Sequence, residues 1–240
     1  MTHSETHSDI AGTAGTAGTV GTTGTAGTTE TVDTDAGVAR ITWHPAAEPR
    51  LVLALGHGAG GGIEARDLRA LAAELPAHGV TVALVEQPWR VAGKKVAPAP
   101  TTLDTGWRGL WPALARPGLP VVAGGRSAGA RVACRTAAEL GAAAVLALSF
   151  PLHPPGKPEK SRAHELLGAG VPALVVQGGN DPFGRPAEFP QSDAYELVEV
   201  PFGDHSFAVP KRADIGQDEA VRRITDAVAA WTGRVGMGAA

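Results

Sequence analysis

Val121-Val122-Ala123-Gly124-Gly125-Arg126-Ser127-Ala128-Gly129-Ala130-Arg131-Val132-Ala133 reads as a short buried strand, a serine set among glycines, and an alanine-rich run with good helix propensity. Gly125-Arg126-Ser127-Ala128-Gly129 fits G-x-S-x-G, the pattern of a serine on a sharp strand-to-helix turn. A serine held in a strained backbone conformation needs neighbours without bulk two residues before it and two after. The helix that starts there points its free N–H groups at the place where negative charge would develop. With 32 glycines in 240 residues the bare pattern is a weak signal. Its weight comes from the apolar run before it and the helix-forming run after it.

The same alternation of apolar strand and helix extends outward on both sides. Upstream, residues 51–55 form a continuous apolar run, as expected of a strand buried on both faces. Gly56-His57-Gly58-Ala59-Gly60-Gly61-Gly62 follows, then Leu68, Leu71, Ala72 and Leu75 at helical spacing. Residues 80–85 are the next strand, residues 87–100 read as a mobile loop rich in Pro, Gly and Lys, and residues 103–115 as a helix with Trp107 and Trp111. Downstream, strands are expected at 143–150, 173–176 and 195–200, and a closing helix presents Val221, Ile224, Val228 and Trp231 on one face. Only residues 151–172 separate the strand after the Ser127 helix from the next, room for a Pro-rich turn and a short helix. The pattern predicts an α/β fold: three layers, a mostly parallel sheet with helices on both faces, and no large cap domain.

The composition of 43% hydrophobic residues suits one domain with a sizeable core, expected over residues 38–233 with order beginning at the alternating Val38–Trp43 stretch. Residues 1–36 hold five of the 24 acidic residues and no Lys or Arg, with glycine at every third position from Gly12 to Gly27. Such a segment cannot bury enough surface to order itself and is expected to be a disordered tail. Residues 234–240 are expected to be a flexible C-terminus. The rest of the chain is nearly neutral, which points away from nucleic-acid binding. Cys134 is alone, cannot form an internal disulfide, and reads as a small buried hydrophobe. No apolar run reaches the length of a membrane span, and the N-terminal residues lack the apolar core of a signal peptide. The expected compartment is therefore the cytoplasm, with no membrane association.

In an open α/β sheet, ligands sit at the carboxyl ends of the strands. The Gly58-Ala59 loop, Ser127, Asp181 and His205 all fall there. Ser127 is a poor nucleophile unless a base takes its proton, and His205 is the candidate base. A carboxylate must hold the imidazole in the right tautomer, and Asp181, at the end of the preceding strand, can reach the ring from the side. Asp204 is nearer in sequence, but adjacent side chains in extended chain project away from each other. The Ala128 N–H and one from Gly58-Ala59 are the candidate oxyanion donors. His57, Trp89, His153 and Lys157 are candidate walls of a shallow substrate cleft. A rival reading takes Gly56, Gly58 and Gly61 as a dinucleotide loop, G-x-G-x-x-G, with Glu86 as its acid. It leaves the later Ser–Asp–His set unexplained. His57 has no second ligand at a metal spacing, so no metal and no cofactor are expected.

Four stretches in order resemble a known family. They are Gly124 to Ala133, Pro151-Leu152-His153-Pro154-Pro155-Gly156-Lys157-Pro158, Gln177-Gly178 to Asp181-Pro182-Phe183-Gly184, and Gly203-Asp204-His205-Ser206-Phe207. Over residues 38–233 the chain is similar to the small dienelactone-hydrolase-like α/β-hydrolases, in the branch that includes testis-expressed hydrolase-like proteins and a chromatin-complex subunit. The resemblance implies a minimal α/β-hydrolase fold and a triad on Ser127, Asp181 and His205. It implies a serine hydrolase cleaving an ester or related acyl bond in a small-molecule substrate. Some relatives act as scaffolds, so the alternative it carries is a non-catalytic binding protein.

Overall fold

The computed structural model describes residues 27–237. Among them eight strands form one sheet: β1 (Thr28–Thr34), β2 (Gly37–His44), β3 (Leu51–Gly56), β4 (Val80–Glu86), β5 (Val121–Arg126), β6 (Ala144–Leu148), β7 (Ala173–Gly178) and β8 (Tyr195–Val200). Their order is β1-β2-β4-β3-β5-β6-β7-β8. From β4 to β8 every neighbouring pair is parallel, while β1 and β2 add an antiparallel edge.

The helices are α1 (Arg66–Glu74), α2 (Pro88–Val91), α3 (Pro100–Ala115), α4 (Ala128–Leu140), α5 (Ala163–Leu167) and α6 (Gln217–Met237). They divide between the two faces of the sheet because the strand residues alternate. Leu51, Leu53 and Leu55 of β3 pack with Leu68 and Leu71 of α1 and with Ile224, Val228 and Trp231 of α6. Val52 and Ala54 point the other way, to Trp107 and Leu110 of α3 and Ala130 and Ala133 of α4. Strands buried on both faces need apolar residues at every position, which is why these read as unbroken runs.

The three-layer α/β fold is as expected, and residues 149–172 carry only a 3-10 turn at Pro158–Lys160 and α5, with no cap domain. The boundaries move. Residues 28–36, assigned above to a disordered tail, form β1 and the turn into β2. The pairing runs from Thr28↔Trp43 to Thr34↔Gly37. Trp43 Nε1 donates to Glu30 at 2.8 Å, Arg116 donates to the other oxygen of Glu30 at 3.1 Å, and Val32 packs against the core. Gly109 of α3 lies so close that a Cβ there would sit 2.6 Å from Thr34 Cβ. The expected disorder of residues 1–26 lies outside the described residues.

At the other end α6 runs on to Met237, through residues expected to be flexible, and Arg234 binds both oxygens of Glu196 at 2.9 and 2.6 Å. Residues 87–100 also begin in an ordered way, because α2 buries Trp89 to 6% exposure. Among the described residues no helix is long and apolar enough to cross a membrane.

The edge strand makes a stability prediction. A chain beginning at Gly27 should melt at least about 5 °C above one beginning at Gly37, since a few kcal/mol corresponds to roughly that shift at this size. Equal melting temperatures by calorimetry would show that β1 adds nothing to the fold.

Candidate active site

Ser127 follows β5 and caps α4 with φ 52° and ψ −112°, a left-handed conformation that L-residues adopt only under constraint. The flanking glycines are explained by what they touch. A Cβ on Gly125 would lie 2.4 Å from the Gly56 carbonyl oxygen, and one on Gly129 2.5 Å from the same atom. The end of β3 therefore presses on the turn from one side, and side chains at either position would force it open. The serine is left with its hydroxyl above the carboxyl end of the sheet and the first turn of α4 beneath it.

His205 arrives on the loop after β8. Its Nε2 is 2.9 Å from Ser127 Oγ, and its Nδ1 is 2.8 Å from Asp181 Oδ2. With Asp181 accepting the Nδ1 proton, Nε2 is free to accept the serine hydroxyl. Asp181 is fully buried in the turn just after β7. Gln177 Nε2 donates to the same Oδ2 at 2.9 Å, and the Phe183 N–H donates to Oδ1 at 2.8 Å. The carboxylate is thus held by contacts that fix its rotation as well as its place. The Phe183 ring lies over His205 with centroids 4.2 Å apart. Asp204 faces elsewhere: its Oδ1 accepts from the Ser206 and Ala208 N–H groups at 2.7 and 2.9 Å. Gln177 and Phe183 stood in the quoted motifs but nothing in the sequence assigned them a part.

The Gly58-Ala59 loop comes to the same place, since a Cβ on Gly58 would be 3.4 Å from Ser127 Cβ. Ala128 opens α4 directly after the serine. His57 is buried, and its ring nitrogens face backbone groups and not open space. It is 3% exposed, its Nδ1 is 2.8 Å from the Gly58 carbonyl, and its Nε2 accepts the Gln87 N–H at 3.2 Å. Burial pushes its pKa down, so the neutral ring donates from Nδ1 and accepts at Nε2. Its polar atoms are spent on holding the loop: with the Gly58 carbonyl turned to His57, the Ala59 N–H of the same trans peptide points the opposite way.

His153 is likewise a framework residue. It is 6% exposed and its two nitrogens face the Pro154 carbonyl and Glu188 at 2.9 and 3.0 Å. The Pro154 carbonyl, then Glu188, raise its pKa against the opposing effect of burial. Lys157 is exposed in the turn before the 3-10 segment. Trp89 packs on His57 with centroids 5.4 Å apart.

A small cavity reaches Gly58 and Ala128, the neighbours of Ser127, without being lined by Ser127, Asp181 or His205. Its volume is about 10 Å³, room for a single water, and it is lined by His57, Gly58, Trp89, Leu103, Ala128 and Val132 among others. Larger hollows of about 510 and 470 Å³ lie away from the serine, and neither is lined by Ser127, Asp181 or His205. The second shares Gln87 and Trp89 with the small cavity. Cys134 lies buried in α4, and burial pushes its thiol up to about 12, so it is not a nucleophile at neutral pH.

The dinucleotide reading fails on geometry. α1 begins only at Arg66, so Gly56, Gly58 and Gly61 do not open a helix, and Glu86 pairs with Arg40 at 3.1 Å. Among the described residues no group of three or more His, Cys, Asp or Glu gathers to hold a metal.

A family profile described as an alpha/beta hydrolase domain matches residues 48–233. A search among curated proteins found no match. Among solved structures, the chain is similar to a lidless α/β serine hydrolase from Xanthomonas campestris. The identity is 19% and the TM-score 0.67, over 86% of this chain and 95% of that one. It is also similar to the dienelactone hydrolase of Anabaena variabilis, at 19% identity and TM-score 0.64, over 85% and 95% of the two chains. Est1E of Butyrivibrio proteoclasticus matches at 14% identity and TM-score 0.61, over 84% and 98%. At these identities the likeness is one of fold.

Proposed function

Because the chain belongs to the alpha/beta hydrolase domain family, we propose that it is a serine hydrolase that cleaves an ester or related acyl bond through an acyl-enzyme on Ser127. Within the family we assign it, on the four motifs, to the dienelactone-hydrolase-like proteins and the branch with testis-expressed and chromatin-complex relatives. One observation carries the reading: Ser127 Oγ, His205 and Asp181 stand in a single chain of contacts of 2.9 and 2.8 Å.

In this mechanism His205 Nε2 takes the Ser127 proton as Oγ attacks the acyl carbonyl. Asp181 keeps the ring in the tautomer that can accept and stabilises the imidazolium that forms. The tetrahedral oxyanion rests on the Ala128 N–H and the Ala59 N–H, which His57 frees by holding the Gly58 carbonyl. The imidazolium then protonates the leaving oxygen, and the acyl-enzyme remains. A water deprotonated by His205 attacks it, and the second intermediate collapses to acid and free serine. No step requires a cofactor. The partner is a small acyl compound, and the cytoplasm is the compartment we propose for it.

The test is a fluorophosphonate probe on the pure protein, since only an activated serine reacts. Stoichiometric labelling of the wild type is the expected result. A folded protein that does not label would point to a binding protein built on a hydrolase fold.

We take the small cavity against Gly58 and Ala128, the neighbours of Ser127, as the acyl end of the site. It has room for about one water and Trp89 is one of its walls, so each further methylene should add far less than the roughly 0.8 kcal/mol of full burial. Acetyl and butyryl esters should be turned over at least as well as longer ones. Trp89→Ala should join the small cavity to the hollow of about 470 Å³ behind it and move the preference to longer chains. A wild type whose kcat/KM climbs steadily through octanoyl and decanoyl esters would refute this.

A further inference from the structure

Arg126, the residue between Gly125 and Ser127, has no part in the mechanism above. It ends β5, its side chain is only 14% exposed, and its stem passes beneath Gly58, where a Cβ would lie 3.8 Å from Arg126 Cγ. Its Nη2 donates to the carbonyl oxygen of His205 at 2.7 Å. Its Nε stands 3.3 Å from Asp67 Oδ2, a charge pair outside hydrogen-bond geometry. Asp67 lies in the first turn of α1 with its side chain 1% exposed, and among the described residues no other side chain contacts its carboxylate within hydrogen-bonding or ion-pair range. Burial raises its pKa, and the Arg126 charge and the first peptide N–H groups of α1 oppose that rise.

A buried ion pair is a weak source of stability, because taking both charges out of water costs about what their attraction returns. An apolar pair of the same volume would serve the core as well. What an apolar pair could not do is hold the His205 carbonyl. We propose that Arg126 is the positioning residue of His205, with Asp67 as its counter-ion, in the hydrolase reading given above. Asp181 fixes the ring of His205 from the β7 side, and Arg126 fixes its backbone from the β5 side. Held at both ends, the residue keeps Nε2 on Ser127. The clamp is also the next residue to the nucleophile, so base and serine are referred to the same peptide. The task suits a guanidinium, because one arm donates to the His205 carbonyl while the delocalised charge faces Asp67 on another element.

The test uses the full chain with Arg126→Lys, Arg126→Gln and the double variant Arg126→Gln/Asp67→Asn, each read by melting temperature, fluorophosphonate labelling rate, and kcat and KM on an acetyl ester. Arg126→Gln alone strands a buried carboxylate and can cost the fold itself. The double variant removes both charges and is expected to melt near the wild type. Its kcat and labelling rate should nonetheless fall on the order of 10- to 100-fold with KM changed less than about two-fold, as misplacement of a catalytic group by about an ångström does. Arg126→Lys keeps the charge but one fork fewer, and should fold while recovering only part of kcat. If Arg126→Lys and the double variant both turn over at the wild-type rate, the pair is structural and the proposal is overturned. A wild type that neither labels nor hydrolyses removes the hydrolase premise, and the proposal with it.

Discussion

Replacing Ser127 by alanine is expected to abolish fluorophosphonate labelling and to lower ester turnover on the order of 10⁴-fold or more, while the protein stays folded. The reasons for the two halves differ. Ser127 Oγ is the atom that would form the acyl bond, and among the described residues no other hydroxyl or thiol is paired with His205. The buried Cys134 thiol, pushed up to about 12, cannot take over. Stability is a separate matter, since serine and alanine share the Cβ that makes φ 52° uncomfortable. The variant loses only the contact to His205 Nε2, so its melting temperature should stay within about 2–3 °C of the wild type, the span of roughly 1 kcal/mol at this size. Label that persists at unit stoichiometry in the folded variant would place the reactive nucleophile elsewhere in the chain.

The second large effect separates the two acids near the histidine. Asp181→Asn should lower kcat about 10³- to 10⁴-fold, because an amide nitrogen toward Nδ1 favours the tautomer that cannot accept the serine proton. The amide would also face Gln177 Nε2 and the Phe183 N–H, donors that need an acceptor. Asp204→Asn should cost less than about five-fold. Its Oδ1 only caps the Ser206 and Ala208 N–H groups, and an asparagine oxygen can do the same. Steady-state kinetics on the two folded variants decide the matter, and the reverse ranking would mean that Asp204, not Asp181, orients His205.

Arg126, Asp67 and Gln177 were present in the chain without any mark of their part. Arg126 occupies the free position of G-x-S-x-G, Asp67 looks like an ordinary acid in a helical first turn, and Gln177 ends an apolar strand. His57 and His153 were legible as residues near the site but not as framework. Whether an imidazole faces substrate or its own loop is set by carbonyls such as those of Gly58 and Pro154, which leave no trace in side-chain type. β1 was hidden for another reason. Thr28–Thr34 is an edge strand whose pairing is made by backbone, and its one apolar anchor, Val32, sits in a run as polar as a tail.

By itself the sequence determined the α/β architecture, the place of Ser127 and the order Ser127, Asp181, His205. Each of these rests on a local rule: apolar periodicity makes a strand or a helix, and glycines must flank a serine on a tight turn. Only the tertiary structure brought the expected acid, Asp181, to His205, put Arg126 on its backbone, and turned His57 inward. Those pairings join residues far apart in the chain, 24 positions for His205 with Asp181 and 79 for the His205 carbonyl with Arg126. Nothing local selects among such partners. They are chosen by where the parallel sheet delivers the ends of β3, β5 and β7, and a difference of a few ångströms there exchanges one neighbour for another.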